Sequence, residues 1–114
     1  MLDYIRIACA VPEVKPADVK KNTDEILKLM AQAEEKAVDL LVFPELAVTG
    51  YTCGDLFFQT TLQDAALTAL EEIMDESRRY PGLHLVVGLP VAIGGRLYNC
   101  AARSEEHTSE LQSR

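Results

Sequence analysis

The feature that most constrains the fold is a short apolar run at residues 40–43, closed by Pro44. Four residues are too few for a buried helix, and proline cannot donate to a continuing hydrogen-bond ladder, so the run is typical of a buried strand. Before it, apolar residues recur at helical spacings over residues 19–37, after Pro16, which fits the first turn of a helix. The sequence therefore predicts a helix of about five turns and then a strand.

A strand is also predicted before this helix, over residues 4–11. Apolar side chains recur there with period two, as in a pleated strand: Ile5, Ile7, Cys9 and Val11. A strand, a helix and a strand in this order form a parallel pair joined by a right-handed crossover. Because ligands bind beyond the carboxyl ends of parallel strands, the most informative position is Glu45, which follows Pro44 at such an end.

The rest of the chain predicts one more helix and a hairpin. The helix begins at Thr60 or Thr61, either of which can act as its N-cap. An apolar run at residues 83–89 leads into a hairpin whose turn is the Gly-Gly pair at 94–95 and whose second strand covers residues 96–102. The predicted order is βαβαββ, which is an α/β fold.

The last residues, 103–114, do not share this pattern. The string RSEEHTSELQSR has a single large aliphatic side chain, Leu111, and neither glycine nor proline. It also resembles the translation of a sequencing adapter. We therefore expect one domain over residues 1–102 and a non-native tail over residues 103–114 that does not continue the fold.

Charge and hydropathy narrow the class of protein. A net charge of -7 without a basic cluster predicts no nucleic-acid partner, because such a chain repels phosphate backbones. No apolar run approaches the roughly 20 residues that span a bilayer, and the first residues lack a signal-peptide pattern. We therefore expect a cytoplasmic protein without a membrane partner.

The three cysteines lack the spacing of a metal site or of a disulfide framework, so free thiols are expected. Cys9 and Cys100 alternate with apolar neighbours in predicted strands, where a buried cysteine behaves as a small hydrophobe. Cys53 lies eight residues after Glu45, but no cationic side chain near it in sequence would stabilise a thiolate, which argues against a nucleophile. His84 opens a strand without a nearby partner and is predicted to be structural.

Glu45 is the best local candidate for acid-base chemistry. It follows a buried strand and precedes a loop with glycines and aromatic residues, so partial burial is expected. Burial raises the pKa of a carboxyl group toward the range in which it works as a general base. On spacing alone, a solvated carboxylate at a strand end is the commoner case, and both interpretations stay open. Tyr51, in the same loop, either lines a substrate pocket or covers the core.

The segment around Glu45 reads LLVFPELAVTGY, a strand that ends in Phe-Pro-Glu with a Gly-Tyr pair beginning five residues after the glutamate. It resembles the first signature of the carbon-nitrogen hydrolase (nitrilase) superfamily. The string RIACAVPEVKPADVKKNTDEI looks like the family's first strand and helix, and GLPVAIGGRLYNCAA looks like its central hairpin. The longer string FPELAVTGYTCGDLFFQ is similar to the glutaminase domain of glutamine-dependent NAD synthetases.

The resemblance implies the N-terminal half of an α-β-β-α sandwich and a Glu, Lys, Cys triad. The cysteine attacks an amide carbonyl, the glutamate takes its proton and the lysine stabilises the oxyanion. Glu45 matches the first member, and Tyr51 is a candidate wall of the substrate pocket. The family's lysine and cysteine follow the hairpin, whereas every lysine of this chain precedes Glu45: Lys15, Lys20, Lys21, Lys28 and Lys36. The chain alone is expected to be inactive and, with one sheet face uncovered, prone to aggregate.

For the parent protein, the resemblance implies an enzyme that releases ammonia from glutamine and passes it to a domain that amidates deamido-NAD. ATP and magnesium are expected in that downstream domain and no cofactor in this chain, which has no GxxxxGK[ST] loop. The parent is expected to be a homo-oligomer. Two alternatives stay open: the N-terminal part of another amidase of the superfamily, and a non-catalytic α/β module that binds a protein partner through its apolar loop.

Overall fold

The computed structural model describes residues 5–44, 46–50, 53–104 and 109–113. Five strands, two α-helices and one 3₁₀ helix follow one another along the chain. Their bounds are β1 (Ile7–Cys9), α1 (Val19–Glu35), β2 (Leu40–Val42), the 3₁₀ helix (Gly54–Phe58), α2 (Thr60–Ser77), β3 (His84–Ile93), β4 (Arg96–Ser104) and β5 (Ser109–Ser113). When the 3₁₀ helix is left aside, the elements from β1 to β4 follow the predicted order βαβαββ, which is thereby confirmed.

All five strands belong to one mixed sheet, in the order β1-β2-β3-β4-β5. The pairs β1·β2 and β2·β3 are parallel, with Ile7 opposite Leu40 and Leu40 opposite His84. The pairs β3·β4 and β4·β5 are antiparallel, and the predicted hairpin closes with Ile93 opposite Arg96. Strand β2 is parallel to both of its neighbours. The chain therefore leaves β2 on the side of the sheet formed by the carboxyl ends of the parallel strands, where ligands bind.

Helix α1 has a defined capping interaction at each end. The Asp18 carboxylate accepts a hydrogen bond of 3.1 Å from the backbone N–H of Lys21 and caps the N-terminus. At the other end, Ala37 adopts a left-handed φ of 56°, and the N–H of Val38 donates to the carbonyl of Ala33 at 3.0 Å, which is a Schellman motif. Pro16 was expected in the first turn, but it precedes the helix, because Asp18 supplies the cap.

Helix α2 begins as predicted but is capped differently. Thr60 is its first residue, and Gln59 occupies the N-cap position without a side-chain hydrogen bond to the helix. The prediction that Thr60 or Thr61 acts as the cap is therefore wrong, because both are already helical. The side-chain amide of Gln63, near the start of α2, donates a hydrogen bond of 2.9 Å to the carbonyl of Phe57. This bond connects α2 to the 3₁₀ helix.

The hydrophobic core lies between the two helices and one face of the sheet. Its largest fully buried apolar side chains are Ile26 and Met30 of α1, Leu41 of β2, Val48 after β2, Ile73 of α2, and Leu85, Val87 and Leu89 of β3. Fully burying a side chain of this size contributes about 1.5–3 kcal/mol. The second cysteine predicted to be in the core, Cys100 on β4, is 1% exposed and confirms that prediction.

In β1 and the residues that flank it, the side chains that point away from the helices are exposed. Ile5, Ile7 and Val11 are 65%, 56% and 82% exposed. Cys9, which lies on the same side of the strand, is exposed as well, so the prediction that it belongs to the core is wrong. The period-two pattern was correct, but it marks the face that points away from the helices, while Ala8 packs against the core.

The structure also differs from expectation after residue 102. Strand β4 continues to Ser104, whose hydroxyl oxygen accepts a hydrogen bond of 2.8 Å from the N–H of Leu85, and β5 pairs with β4 along Ser109–Ser113. A sheet edge offers unpaired N–H and C=O groups to any extended segment, whatever its side-chain pattern. These residues therefore do continue the sheet, while the adapter-like origin of the string stays a prediction.

Candidate active site

Both residues singled out by the sequence, Glu45 and Tyr51, lie outside the described residues. The structure describes the chain on either side of Glu45, and these flanking segments form the described part of the candidate site. We call residues 46–50 the turn segment.

The segment before Glu45 begins at the carboxyl end of β2. The N–H of Phe43 donates to the carbonyl of Val86 at 2.9 Å, so the hydrogen bonding between β2 and β3 continues one residue past Val42. Phe43 is 5% exposed and packs in the core, whereas Pro44 is exposed. The residue after Pro44 therefore follows a strand that is fixed by hydrogen bonds and packing almost to its last residue.

The turn segment folds back immediately after Glu45. Leu46 has a left-handed φ of 54°, which costs a residue with a side chain roughly 1–2 kcal/mol. The N–H of Gly50 donates to the carbonyl of Leu46 at 2.7 Å, and the N–H of Val48 donates to the carbonyl of Gly88 in β3 at 3.2 Å. These bonds hold the strained turn in place against the sheet.

Residues 47–50 of the turn segment are buried, and most of the polar groups buried there belong to the backbone. Val48 and Thr49 are 0% exposed, and the hydroxyl of Thr49 donates to the carbonyl of Gly50 at 3.0 Å. The thiol of Cys53 lies 3.1 Å from the carbonyl oxygen of Thr49 and 3.3 Å from that of Gly50, and donates its proton to this pair. With 6% exposure and these partners, Cys53 has the surroundings of a structural cysteine rather than a nucleophile.

A second contact joins the turn segment to the chain before α1. The N–H of Ala17 donates to the carbonyl of Thr49 at 2.8 Å, and Asn22 of α1 donates through its side-chain amide to the carbonyl of Val48 at 3.0 Å. The sequence interpretation missed Asn22. A signal was present, because Asn22 is three residues after Val19 and four before Ile26, on the apolar stripe of the helix, where an amide needs partners.

No lysine is close in sequence to the turn segment. The five lysines are exposed and lie on α1 or beside it: Lys15, Lys20, Lys21, Lys28 and Lys36. Two of them make ion pairs on this surface, Lys15 with Asp18 at 3.9 Å and Lys20 with Asp24 at 3.8 Å. Such exposed pairs contribute little to stability.

Neither a metal site nor a membrane-spanning helix is found in the described part of the chain. Among its His, Cys, Asp and Glu residues, no group of three is arranged to hold a metal ion. Its helices also include none with the length and apolar character needed to cross a bilayer.

Comparison with known proteins identifies the family of this chain. The model of the family described as carbon-nitrogen hydrolase matches residues 6–110, which is most of the chain. The chain belongs to the carbon-nitrogen hydrolase family. The match includes the Phe-Pro-Glu sequence that follows β2 and the turn segment, and it confirms the resemblance inferred from FPELAVTGY.

Two sequence relatives of this carbon-nitrogen hydrolase are glutamine-dependent NAD(+) synthetases. The protein of Xylella fastidiosa (strain Temecula1) is 33% identical over 103 residues, covering 90% of this chain and 18% of the relative. The protein of Mycobacterium tuberculosis (strain H37Rv) is 32% identical over 98 residues, covering 86% of this chain and 14% of the relative. The chain thus spans less than a fifth of the length of these relatives.

Solved structures of the same family agree with the fold. The crystal structure of a glutamine-dependent NAD(+) synthetase from Cytophaga hutchinsonii matches with a TM-score of 0.88 and 31% identity, covering 96% of this chain and 19% of that one. An amidase from Nesterenkonia sp. matches with a TM-score of 0.70 and 29% identity, covering 92% and 41%. The carbon-nitrogen hydrolase chain therefore has the α/β fold of these structures and forms the N-terminal half of an α-β-β-α sandwich.

Proposed function

We propose that this chain is the N-terminal part of a longer enzyme that hydrolyses glutamine to glutamate and ammonia and uses the ammonia to make NAD from deamido-NAD. The observation that carries the proposal is the match to the Cytophaga hutchinsonii glutamine-dependent NAD(+) synthetase, with a TM-score of 0.88 over 96% of the chain. The amidase from Nesterenkonia sp. matches less well, with a TM-score of 0.70 over 92%.

In the proposed mechanism, Glu45 is the general base of a Glu, Lys, Cys triad. It accepts the thiol proton of the cysteine as the sulfur attacks the amide carbon of glutamine, and a lysine stabilises the oxyanion. Glu45 then returns the proton to the leaving nitrogen, which departs as ammonia and leaves a thioester. Water, deprotonated by Glu45, attacks the thioester, releases glutamate and restores the thiol. Tyr51 is proposed to line the substrate pocket.

The lysine and cysteine of this triad are proposed to follow β4 in the parent protein. All five lysines of the chain precede Glu45, and Cys53 is buried with its thiol bonded to backbone carbonyls. A relative supports a cysteine nucleophile: acrylamide adds to the active site cysteine in a variant of the amidase from Nesterenkonia sp. AN1. This chain alone therefore supplies a base and part of a pocket without a nucleophile.

The rest of the parent follows from the same assignment. The relatives are more than five times longer than the matched segment, which leaves room for a synthetase domain that would use ATP and magnesium. We propose that the parent acts in the cytoplasm as a homo-oligomer, with glutamine as its small-molecule amide substrate.

The second candidate is an amidase without a synthetase domain. It is favoured by the amidase from Nesterenkonia sp., which shares the fold at 29% identity and is itself less than half covered by this chain. The third alternative, a non-catalytic binding module, gains no support from a specific observation.

Ammonia release by the complete gene product separates these candidates. We expect turnover of glutamine, no comparable turnover of butyramide, and ATP-dependent NAD synthesis from deamido-NAD. Rapid hydrolysis of butyramide without NAD synthesis would favour the amidase. The 114-residue chain should release no ammonia, and turnover by this chain that is abolished by Cys53→Ala would contradict the proposed triad.

A further inference from the structure

Asn22 is a fully buried polar side chain in the middle of an apolar helix face. It is 0% exposed, and its neighbours along the stripe of α1 include Ile26 and Met30, which are also fully buried. A buried amide destabilises a protein unless its donors and acceptor find partners, so the positions of those partners indicate what the residue is for.

Three hydrogen bonds satisfy the Asn22 amide, and they join two separate loops. Its nitrogen Nδ2 donates to the carbonyl of Val48 at 3.0 Å and to the carbonyl of Lys15 at 2.9 Å. Its oxygen Oδ1 accepts a bond of 2.7 Å from the N–H of Lys15. The side chain thus links the chain before α1 to the turn segment, in which Val48 lies 26 residues after Asn22.

The hydrogen bond from Asn22 to Val48 restrains the backbone shortly after Glu45. Val48 is three residues after Glu45, and its peptide groups are held from both sides, since its N–H bonds to Gly88 of β3 and its carbonyl accepts from Asn22. Leu46, directly after Glu45, keeps a left-handed φ of 54°. A residue with a side chain stays in that conformation only when its surroundings hold it there.

We infer that Asn22 is a positioning residue for Glu45: it fixes the turn segment, which begins directly after Glu45, against α1 and so restrains the backbone on the carboxyl side of the base. The inference rests on the proposed function, in which Glu45 is the general base. A misplacement of about 1 Å at a reacting group can reduce the rate about 100-fold, so a loosened turn segment should lower kcat.

Thr23 provides a matched control. It is the next residue of α1, is 2% exposed, and its hydroxyl donates to the carbonyl of Val19 at 2.7 Å. Thr23→Val therefore removes a hydrogen bond made by a buried side chain of the same helix, and the acceptor of that bond lies in α1 rather than in the turn segment. A merely structural role for Asn22 would make the two substitutions alike in their effect on kcat.

The test is steady-state kinetics of glutamine hydrolysis by the complete gene product, with folding checked by circular dichroism. We expect Asn22→Ala to lower kcat about 10- to 100-fold with KM changed less than about threefold, while Thr23→Val keeps kcat within about twofold. If Asn22→Ala does not fold, Asn22→Ser, whose hydroxyl is too short to reach both loops, is measured instead.

A double variant separates this inference from the assignment of the base. In a Glu45→Gln background, Asn22→Ala should cause no further loss beyond about twofold, because a positioning residue acts through the group it positions. Equal kcat values for the Asn22 and Thr23 variants, with kcat of Glu45→Gln lowered at least about 100-fold, would overturn the inference and leave the base assignment standing. Full activity of Glu45→Gln would overturn both.

Discussion

Replacing Gly50 by alanine tests whether the turn segment is as tightly enclosed as the structure indicates. Gly50 has a φ of 82°, and a Cβ atom there would lie 3.1 Å from Cγ1 of Val14 and 3.2 Å from Cα of Pro16. The left-handed conformation costs about 1–2 kcal/mol for alanine, and the contact with the Pro16 backbone about 1–3 kcal/mol more. We therefore expect Gly50→Ala to lower the free energy of unfolding by about 2–5 kcal/mol.

Two other glycines separate these causes. Gly54 has a φ of 58° but no atom within 4 Å of its Cβ position, so Gly54→Ala should show only the conformational cost of about 1–2 kcal/mol. Gly82 has open space and no positive φ, so Gly82→Ala should be neutral or slightly stabilising. The assay is urea unfolding of the 114-residue chain at low micromolar concentration, followed by circular dichroism and linear extrapolation. Equal losses for Gly50→Ala and Gly54→Ala would refute the argument from enclosure.

Three further predictions concern the helix end, the core and the uncovered face. Ala37→Gly should raise the free energy of unfolding by about 0.5–1 kcal/mol, because glycine adopts the left-handed C-terminal position freely, whereas Ala31→Gly within α1 should lower it by about 1 kcal/mol; equal signs would contradict the assigned cap. Leu85→Ala should cost about 2–5 kcal/mol in urea unfolding, and a loss under about 1 kcal/mol would contradict a core position. Ile7→Lys combined with Val11→Lys should reduce self-association in sedimentation velocity, and unchanged association would show that this face is not the cause.

The order of the first four strands and the two α-helices was predictable because each of them carries either a hydrophobic period or a short apolar run bounded by proline or glycine. The error at Cys9 has a physical reason: period two identifies a strand and its two faces, but does not say which face meets the helices. Strand β5 could not be predicted from side chains, because pairing at the free edge of β4 uses backbone groups that every residue has.

The candidate site was predictable in part. Phe43 and Pro44, which directly follow β2, indicated where a ligand-facing residue would be, and the resemblance to carbon-nitrogen hydrolases made Glu45 the specific choice. The position of Asn22 on the apolar stripe of α1 was a signal, but its partner could not be predicted from local sequence, because Val48 lies 26 residues further along the chain. Hydrogen bonds between distant segments depend on how the helix packs on the sheet, which no local pattern specifies.

Glu45→Gln in the complete gene product tests the central claim most directly. The substitution keeps the size of the side chain and removes its ability to accept a proton, so we expect kcat/KM for glutamine hydrolysis to fall at least about 100-fold. NAD synthesis supplied with free ammonia should stay within about twofold of the unmodified enzyme, because that step does not need the amide-hydrolysing site. A Glu45→Gln enzyme that hydrolyses glutamine at the normal rate would contradict the assignment of Glu45 as the general base.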